Sequence, residues 1–225
     1  EPPARAQRAR VRSTIARHDV GALREAVAIA RDAGDAETLA ICLTNLAVRL
    51  VYGGDEEPGA AAAREALAVT SRAGERHRAL LILANLSFFS GHYRDASEIF
   101  EQMRREALAA GRERGHGAIA ALGLAQTLIS LGRMDDSATH ARRALQLLVV
   151  PFDRSAALRI LAEGDVWGDR PDAYAEKRRS IRDEMPDVLD VPDEDFGWRR
   201  LDLLDALVRI VDEPDDRRRL ELGRG

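Results

Sequence analysis

A short pattern that recurs at a nearly constant spacing is the strongest constraint on the fold of this 225-residue chain. Residues 43–47 and 83–87 both begin with Leu-x-Asn-Leu, and a related segment, 124–128, follows at almost the same interval. Asn45 and Asn85 are the only asparagines in the chain, and both occupy the same slot of the pattern. Repetition at such an interval is typical of a stack of similar structural units.

Each repeat predicts two helices joined by a glycine turn. Alanine and other apolar residues follow each turn at spacings of three or four, which places them on one helical face. Ala-Gly pairs then predict helix ends, because glycine readily adopts the left-handed conformation that closes a helix. The predicted glycine turns lie at 53–54, 91–93 and 132–134, and the predicted helix ends lie at 33–34, 73–74 and 110–111. The predicted hairpins are 4–34, 36–73, 76–110 and 116–148.

Composition supports an all-α fold and indicates a domain boundary near residue 150. Aromatic residues make up only 4% of the chain, and abundant alanine suits closely packed helices better than sheets. Residues 1–150 carry 20 basic and 18 acidic side chains, whereas residues 151–225 carry 14 and 20. Because Pro151 coincides with this change, we expect helical repeats over 1–150 and a helical capping region over 151–225.

The repeat resembles the tetratricopeptide repeat (TPR) family, in the long-repeat variant seen in kinesin light chains and in the helical arms of bacterial transcription regulators. The family signature has Leu and a small residue in the first helix, Gly-x-Tyr at the turn, and Ala, an aromatic residue and Ala-Leu in the second helix. The best copy has Leu83, Ala84, Gly91, Tyr93, Ala96, Phe100 and Met103. The resemblance implies a right-handed superhelix of antiparallel hairpins, whose first helices line a concave groove for a peptide or helix of a partner protein.

On this alignment seven side chains are candidates for binding a partner in the groove. They are Asn45, Arg49, Arg78, Asn85, Phe88, Phe89 and Gln126. The three amides carry donors and acceptors for the peptide groups of an extended ligand, or they hydrogen-bond between neighbouring helices and fix their register. The two arginines are candidate carboxylate anchors or solvated side chains. Because adjacent helical residues point about 100° apart, at most one of the two phenylalanines is expected to face the groove.

The last third of the chain predicts two further helices, at about 152–163 and 171–183, an acidic loop over 183–195, and a terminal helix around Trp198. Terminal repeats of a solenoid need a cap with one apolar and one polar face, and this last helix fits that description. The alternative is that Trp198 and its neighbours form a docking or homodimer surface. A further hypothesis is that the acidic loop occupies the groove as an internal ligand.

The sequence contains no motif that predicts catalysis or a bound cofactor. The histidines lie on different predicted elements without the spacing of metal ligands, and no nucleophile with a base partner is visible. The net charge of −4 gives no reason to expect nucleic acid, and no segment is long and apolar enough for a membrane span. With one cysteine, Cys42, and no hydrophobic leader, we expect a cytoplasmic protein.

These observations favour a non-catalytic module that binds a protein or peptide partner. The alternative is a sensor or regulatory arm of a larger bacterial signalling protein or transcription regulator. Because the sequence begins at Glu1 rather than Met, we expect a preceding segment, which motivates this alternative.

Overall fold

A computed structural model describes residues 2–15, 19–168 and 170–184 of the chain. These residues form ten α-helices, one short π-helix and no β-strand, which confirms the predicted all-α class. The α-helices are α1 Pro2–Ile15, α2 Val20–Asp32, α3 Ala36–Tyr52, α4 Glu56–Val69, α5 Ala73–Phe89, α6 Tyr93–Ala109, α7 Ala118–Ser130, α8 Met134–Leu147, α9 Pro151–Trp167 and α10 Pro171–Glu184. The π-helix is Glu113–Gly117.

The chain divides into two compact units, Glu1–Ala120 and Ala121–Gly225. The division therefore lies in the first turn of α7 and not near residue 150, where the composition changes. Pro151 instead begins α9, which packs against α8 within the second unit. The change in composition thus marks the start of a helix rather than the border of a unit.

In the first unit, consecutive helices pack as hairpins. The first helices of the hairpins, α1, α3 and α5, also contact one another in that order. Leucines and alanines fill the space between the first and the second helices of the hairpins. Leu23, Ala47, Ala63 and Ala66 are almost completely buried. Small side chains let helix axes approach closely, so the abundance of alanine is accounted for by these seams.

Glycines in the left-handed conformation follow five of the ten described α-helices. Gly91 has a φ of +78° after α5, and Gly132 has a φ of +74° after α7. L side chains rarely adopt such angles, whereas glycine does so without strain. Gly34, Gly54 and Gly111 follow α2, α3 and α6 in the same conformation. The predicted turns and two of the three predicted helix ends are confirmed.

The third predicted helix end, at Ala73-Gly74, is wrong. Helix α4 ends at Val69, Thr70 is extended, and the Thr70 hydroxyl accepts a hydrogen bond from the Arg72 backbone N–H at 3.1 Å. Gly74 instead lies in the first turn of α5, beside Arg112. The second helix of the hairpin predicted over 36–73 therefore ends earlier than predicted. The π-helix lies within the segment that follows the predicted helix end at 110–111.

The second unit is described through Glu184. Its helices α7, α8 and α9 share a cluster that includes Ala125, Ala141 and Ile160. The Ser137 hydroxyl donates to the Ala125 carbonyl at 2.7 Å and joins α8 to α7. The predicted helices near 152–163 and 171–183 are confirmed as α9 and α10. Residues 183 and 184 of the predicted acidic loop are the end of α10; the rest of that loop and the helix predicted around Trp198 lie outside the described residues.

Ion pairs of a buried carboxylate connect α9 with α10 and with the residue that precedes α10. Asp165 is buried on α9, and its Oδ1 accepts from Arg170 Nε and Nη2, each at 3.0 Å. Its Oδ2 is paired with Lys177 on α10, the only lysine of the chain. A buried carboxylate is stable only when such partners compensate the loss of hydration.

Candidate functional site

The amide of Asn45 connects the three first helices of the first unit. Its Nδ2 donates to the Ser13 hydroxyl of α1 at 2.7 Å, and its Oδ1 accepts from Arg78 Nη2 of α5 at 2.8 Å. Asn45 itself lies midway along α3 and is half-buried. The side chain therefore makes the hydrogen bonds between neighbouring helices that one of the two alternatives for this amide predicts.

Two guanidinium groups flank this amide. Arg78 also donates from Nη1 to Glu75 Oε2 at 3.1 Å, so its charge is partly neutralised on its own helix. Arg49 lies one turn after Asn45 on α3 and is half-buried. Its Nε is buried and has no hydrogen-bond acceptor among the described residues. A donor without an acceptor is costly to bury, so the position of Arg49 Nε costs the fold free energy.

The C-terminal part of α5 presents aromatic rings. Phe89 is 76% exposed, whereas Phe88 is half-buried. The ring of Phe88 contacts Phe89 edge-on at a centroid distance of 5.5 Å and Tyr93 of α6 at 5.4 Å. The two adjacent phenylalanines thus differ in exposure, as their helical geometry predicts.

Asn85 and Gln126 are placed differently from Asn45. Asn85 is exposed on α5, one turn before Phe89. Gln126 is half-buried on α7 and belongs to the second unit, and its backbone carbonyl accepts from the Ser130 hydroxyl at 3.2 Å. The three amides of the repeat pattern therefore have three different environments.

We define the first-helix face by the side chains of α3 and α5 that share the side of the Asn45–Arg78 hydrogen bond. Spacings of three and four along the sequence place these side chains on one side of each helix. The face comprises Ile41, Asn45, Arg49, Arg78, Leu81, Asn85, Phe88 and Phe89. Six of the seven predicted groove residues lie on α3 and α5 of the first unit, and the seventh, Gln126, lies on α7 in the other unit.

A stacked pair of histidines in the first unit has no counterpart among the residues predicted from the sequence. His77 of α5 and His116 of the π-helix have ring centroids 3.9 Å apart and planes inclined by 13°. Their separation along the sequence is close to one repeat, and this is the signal that relates them. Each histidine lies near the end of a predicted helix, and neither has a second histidine within its own predicted element.

The surroundings of the stack disfavour positive charge on both rings. Burial, and secondarily the charge of His116, lowers the pKa of His77 from 6.5 to about 4. Burial, and secondarily Arg112, lowers the pKa of His116. A cavity of about 10 Å³, roughly the space for one water, lies beside the rings.

A bidentate ion pair joins α5 and α6 next to the stack. Arg76 donates from Nε and Nη2 to the two carboxylate oxygens of Glu106 at 3.0 and 2.9 Å. These hydrogen bonds hold the pKa of Glu106 below its ordinary value. The pair closes the hairpin on the side of the histidines and leaves Glu106 without a free oxygen for a ligand.

No protein-family model matches this chain, and no curated protein matches it significantly. Among the described residues, no three His, Cys, Asp or Glu side chains are grouped so that they could hold a metal ion. None of the described helices combines the length and apolar character needed to cross a membrane. The resemblance to the tetratricopeptide repeat family stays a prediction.

Proposed function

We propose that the protein is a non-catalytic interaction module whose first-helix face binds a peptide segment or helix of a partner protein. The observation that supports this most strongly is the surface of α5. Three large apolar side chains of this helix remain accessible to solvent. Leu81 and Phe88 are half-buried, and Phe89 is largely exposed. Large apolar side chains grouped on a surface are typical of sites that bind other proteins.

Polar groups of α3 and α5 border this apolar surface. Asn85 of α5 is exposed and can pair with a peptide group, and Arg49 of α3 is a half-buried guanidinium. Apolar anchors surrounded by a few well-placed polar groups are what a peptide-binding surface requires. The amide of Asn45 is already hydrogen-bonded to Ser13 and Arg78, so on this face it joins α1, α3 and α5.

The arrangement of the helices supports the superhelical part of the proposal. Contacts among α1, α3 and α5 put first helices side by side, as a tetratricopeptide-like solenoid requires. The free, buried thiol of Cys42 is consistent with a reducing cytoplasm. We therefore propose a cytoplasmic helical-repeat protein with its binding surface on the first helices.

A peptide selection tests this function directly. A library of random peptides displayed on phage is selected on the purified protein, and the affinities of the selected peptides are measured by fluorescence anisotropy. Phe89→Ser should weaken binding about tenfold or more, the loss expected for an interface anchor. Leu108→Ser is the matched control, since Leu108 is 55% exposed on the second helix α6. Equal affinities for the protein and for the Phe89 variant would exclude the first-helix face as the binding site.

A further inference from the structure

A polar cavity of the first unit lies between α1 and the starts of α3 and α5. Its volume is about 170 Å³. Helix α1 contributes Gln7 and Arg10, the start of α3 contributes Asp35 and Glu37, and Arg72 is the residue before α5. At about 30 Å³ for each molecule of liquid water, the cavity has room for about five waters or for one small organic molecule.

The two carboxylates of the cavity belong to the start of α3. Asp35 is half-buried, and its Oδ1 accepts from the backbone N–H groups of Glu37 and Thr38 at 3.1 and 3.0 Å. Its Oδ2 accepts from the Thr38 hydroxyl at 2.9 Å. The hydrogen bonds from Thr38 hold the pKa of Asp35 below its ordinary value. The N–H groups that begin α3 are thus used by Asp35, and this end of the helix presents negative charge to the cavity.

The two arginines of the cavity differ in their partners. Arg72 forms an ion pair with Glu37. Arg10 is exposed on α1, and neither its guanidinium nor the amide of Gln7 has a partner among the residues that the structure describes. Gln7 and Arg10 are three residues apart, so they lie on the same face of α1. The α1 side of the cavity therefore offers a positive charge and an amide for a ligand.

The cavity is dipolar, and this restricts what it can bind. The α1 side carries the single charge of Arg10, which is +1. On the α3 side, Asp35 and Glu37 together with Arg72 leave a balance of −1. A purely anionic ligand is repelled by the α3 side and a purely cationic ligand by the α1 side. A ligand with one positive and one negative group complements both sides.

We propose that this cavity binds a free α-amino acid with an aliphatic side chain. The carboxylate of the amino acid binds Arg10 and Gln7 on the α1 side, and its ammonium group binds Asp35 and Glu37 on the α3 side. This site goes beyond the proposed binding of a partner protein and does not depend on it.

The lining accounts for each part of this ligand. A guanidinium binds a carboxylate through two parallel hydrogen bonds, and the amide of Gln7 can donate a further one. A carboxylate accepts several hydrogen bonds, so Glu37 can bind an ammonium group as well as Arg72. The apolar residues of the lining are Ala6, which is buried, and Ile41, which is half-buried. Contact with them favours an aliphatic side chain over a charged one.

Isothermal titration calorimetry with related probes tests the requirement for both charges. L-leucine carries both, L-leucinamide lacks the carboxylate, and N-acetyl-L-leucine lacks the ammonium group. We expect L-leucine to bind at least about tenfold more tightly than either derivative, because each derivative leaves one side of the cavity without its charged partner. L-glutamate should bind more weakly than L-leucine, since its side chain brings a charge to the apolar residues.

Matched variants locate the site. Arg10→Gln should weaken the binding of L-leucine about tenfold and remove its preference over L-leucinamide, because the charged partner of the carboxylate is lost. Arg8→Gln removes another exposed arginine of α1, one that does not line the cavity, and should leave the affinity for L-leucine unchanged. Thermal unfolding of each variant, followed by circular dichroism, verifies that the fold is retained.

Four results would overturn the proposal. If N-acetyl-L-leucine binds as tightly as L-leucine, the cavity is a site for anions, and if L-leucinamide does so, it is a site for cations. If L-leucine does not bind at about 10 mM, or if Arg8→Gln weakens it as much as Arg10→Gln, the cavity is not an amino-acid site. None of these results bears on peptides that depend on Phe89, so failure here is distinguishable from failure of the proposed function.

Discussion

Replacing His77 with glutamine should reduce the sensitivity of the first unit to mild acid. The ring of His77 is only 7% exposed and stacks on His116, so the folded protein keeps it neutral. The unfolded chain has no such constraint, and there the histidine binds a proton near its ordinary pKa of about 6.5. Protonation therefore favours the unfolded state over the whole interval between the two pKa values.

The magnitude follows from the difference between those pKa values. The pKa of His77 falls from 6.5 to about 4 on folding. At about 1.4 kcal/mol per pKa unit, this group withdraws about 3 kcal/mol of stability once the pH is below both values. Between about pH 7 and about pH 5 the expected loss is about 2 kcal/mol, since the unfolded state is protonated across that range and the folded state is not. The lowered pKa of His116 acts in the same direction.

Urea unfolding followed by circular dichroism measures this effect. The free energy of unfolding is determined at several values between about pH 7 and about pH 5 for the natural sequence, for His77→Gln and for His92→Gln. His92 is exposed and provides a matched control. Glutamine at position 77 should lower the stability at neutral pH, because the stack is lost, and it should make the pH dependence shallower by about 2 kcal/mol. The reasoning is refuted if the natural sequence and the His77 variant lose the same free energy over this interval.

Five further substitutions test contacts and backbone conformations within the two units by urea unfolding. Asp165→Asn leaves Arg170 and Lys177 without their buried carboxylate and should destabilise the second unit by about 2 kcal/mol or more; a loss below about 0.5 kcal/mol would contradict that role. Asn45→Ala removes two interhelical hydrogen bonds and should cost about 1–2 kcal/mol, whereas Asn85→Ala, at an exposed position, should change the stability by less than about 0.5 kcal/mol; equal effects would show that the two amides are equivalent. Gly91→Ala, at a φ of +78°, should destabilise by about 1 kcal/mol, whereas Gly164→Ala, inside α9 with open space around it, should stabilise by a similar amount; the opposite order would contradict these backbone conformations.

The local parts of the fold could be predicted because each depends on a short stretch of sequence. Gly91 and Gly132 end their helices in the left-handed conformation that the repeat pattern indicates. Gly74 is the exception, because an Ala-Gly pair looks alike at the end of a helix and in its first turn. The two cases differ in the backbone conformation of the glycine, which is left-handed at Gly34 and helical at Gly74, and a sequence pattern does not contain that difference.

The individual environments of the site residues could not be predicted, because they depend on neighbours from other repeats. Asn45 and Asn85 occupy the same slot, yet Asn45 bonds to Ser13 and Arg78 whereas Asn85 is exposed. Exposure of Asn85 depends on which helix packs beside it, and the repeat pattern does not distinguish those neighbours.

The histidine stack was missed for a related reason. His77 and His116 are nearly one repeat apart in the sequence and come together only because the packing of α6 brings α5 and the π-helix side by side. Metal-ligand motifs on a helix place both histidines within one element, and this pair does not have that spacing. Comparing positions one repeat apart, rather than within one element, would have related the two histidines.

Photo-crosslinking from the first-helix face tests the central claim most directly. A photoreactive phenylalanine analogue is introduced at position 89, or at position 108 as the control, and each protein is irradiated with a phage-selected peptide. We predict a covalent adduct from position 89, where the natural ring is 76% exposed, and none from position 108 on the second helix. Adducts formed equally from both positions, or from position 108 alone, would contradict a binding surface on the first helices.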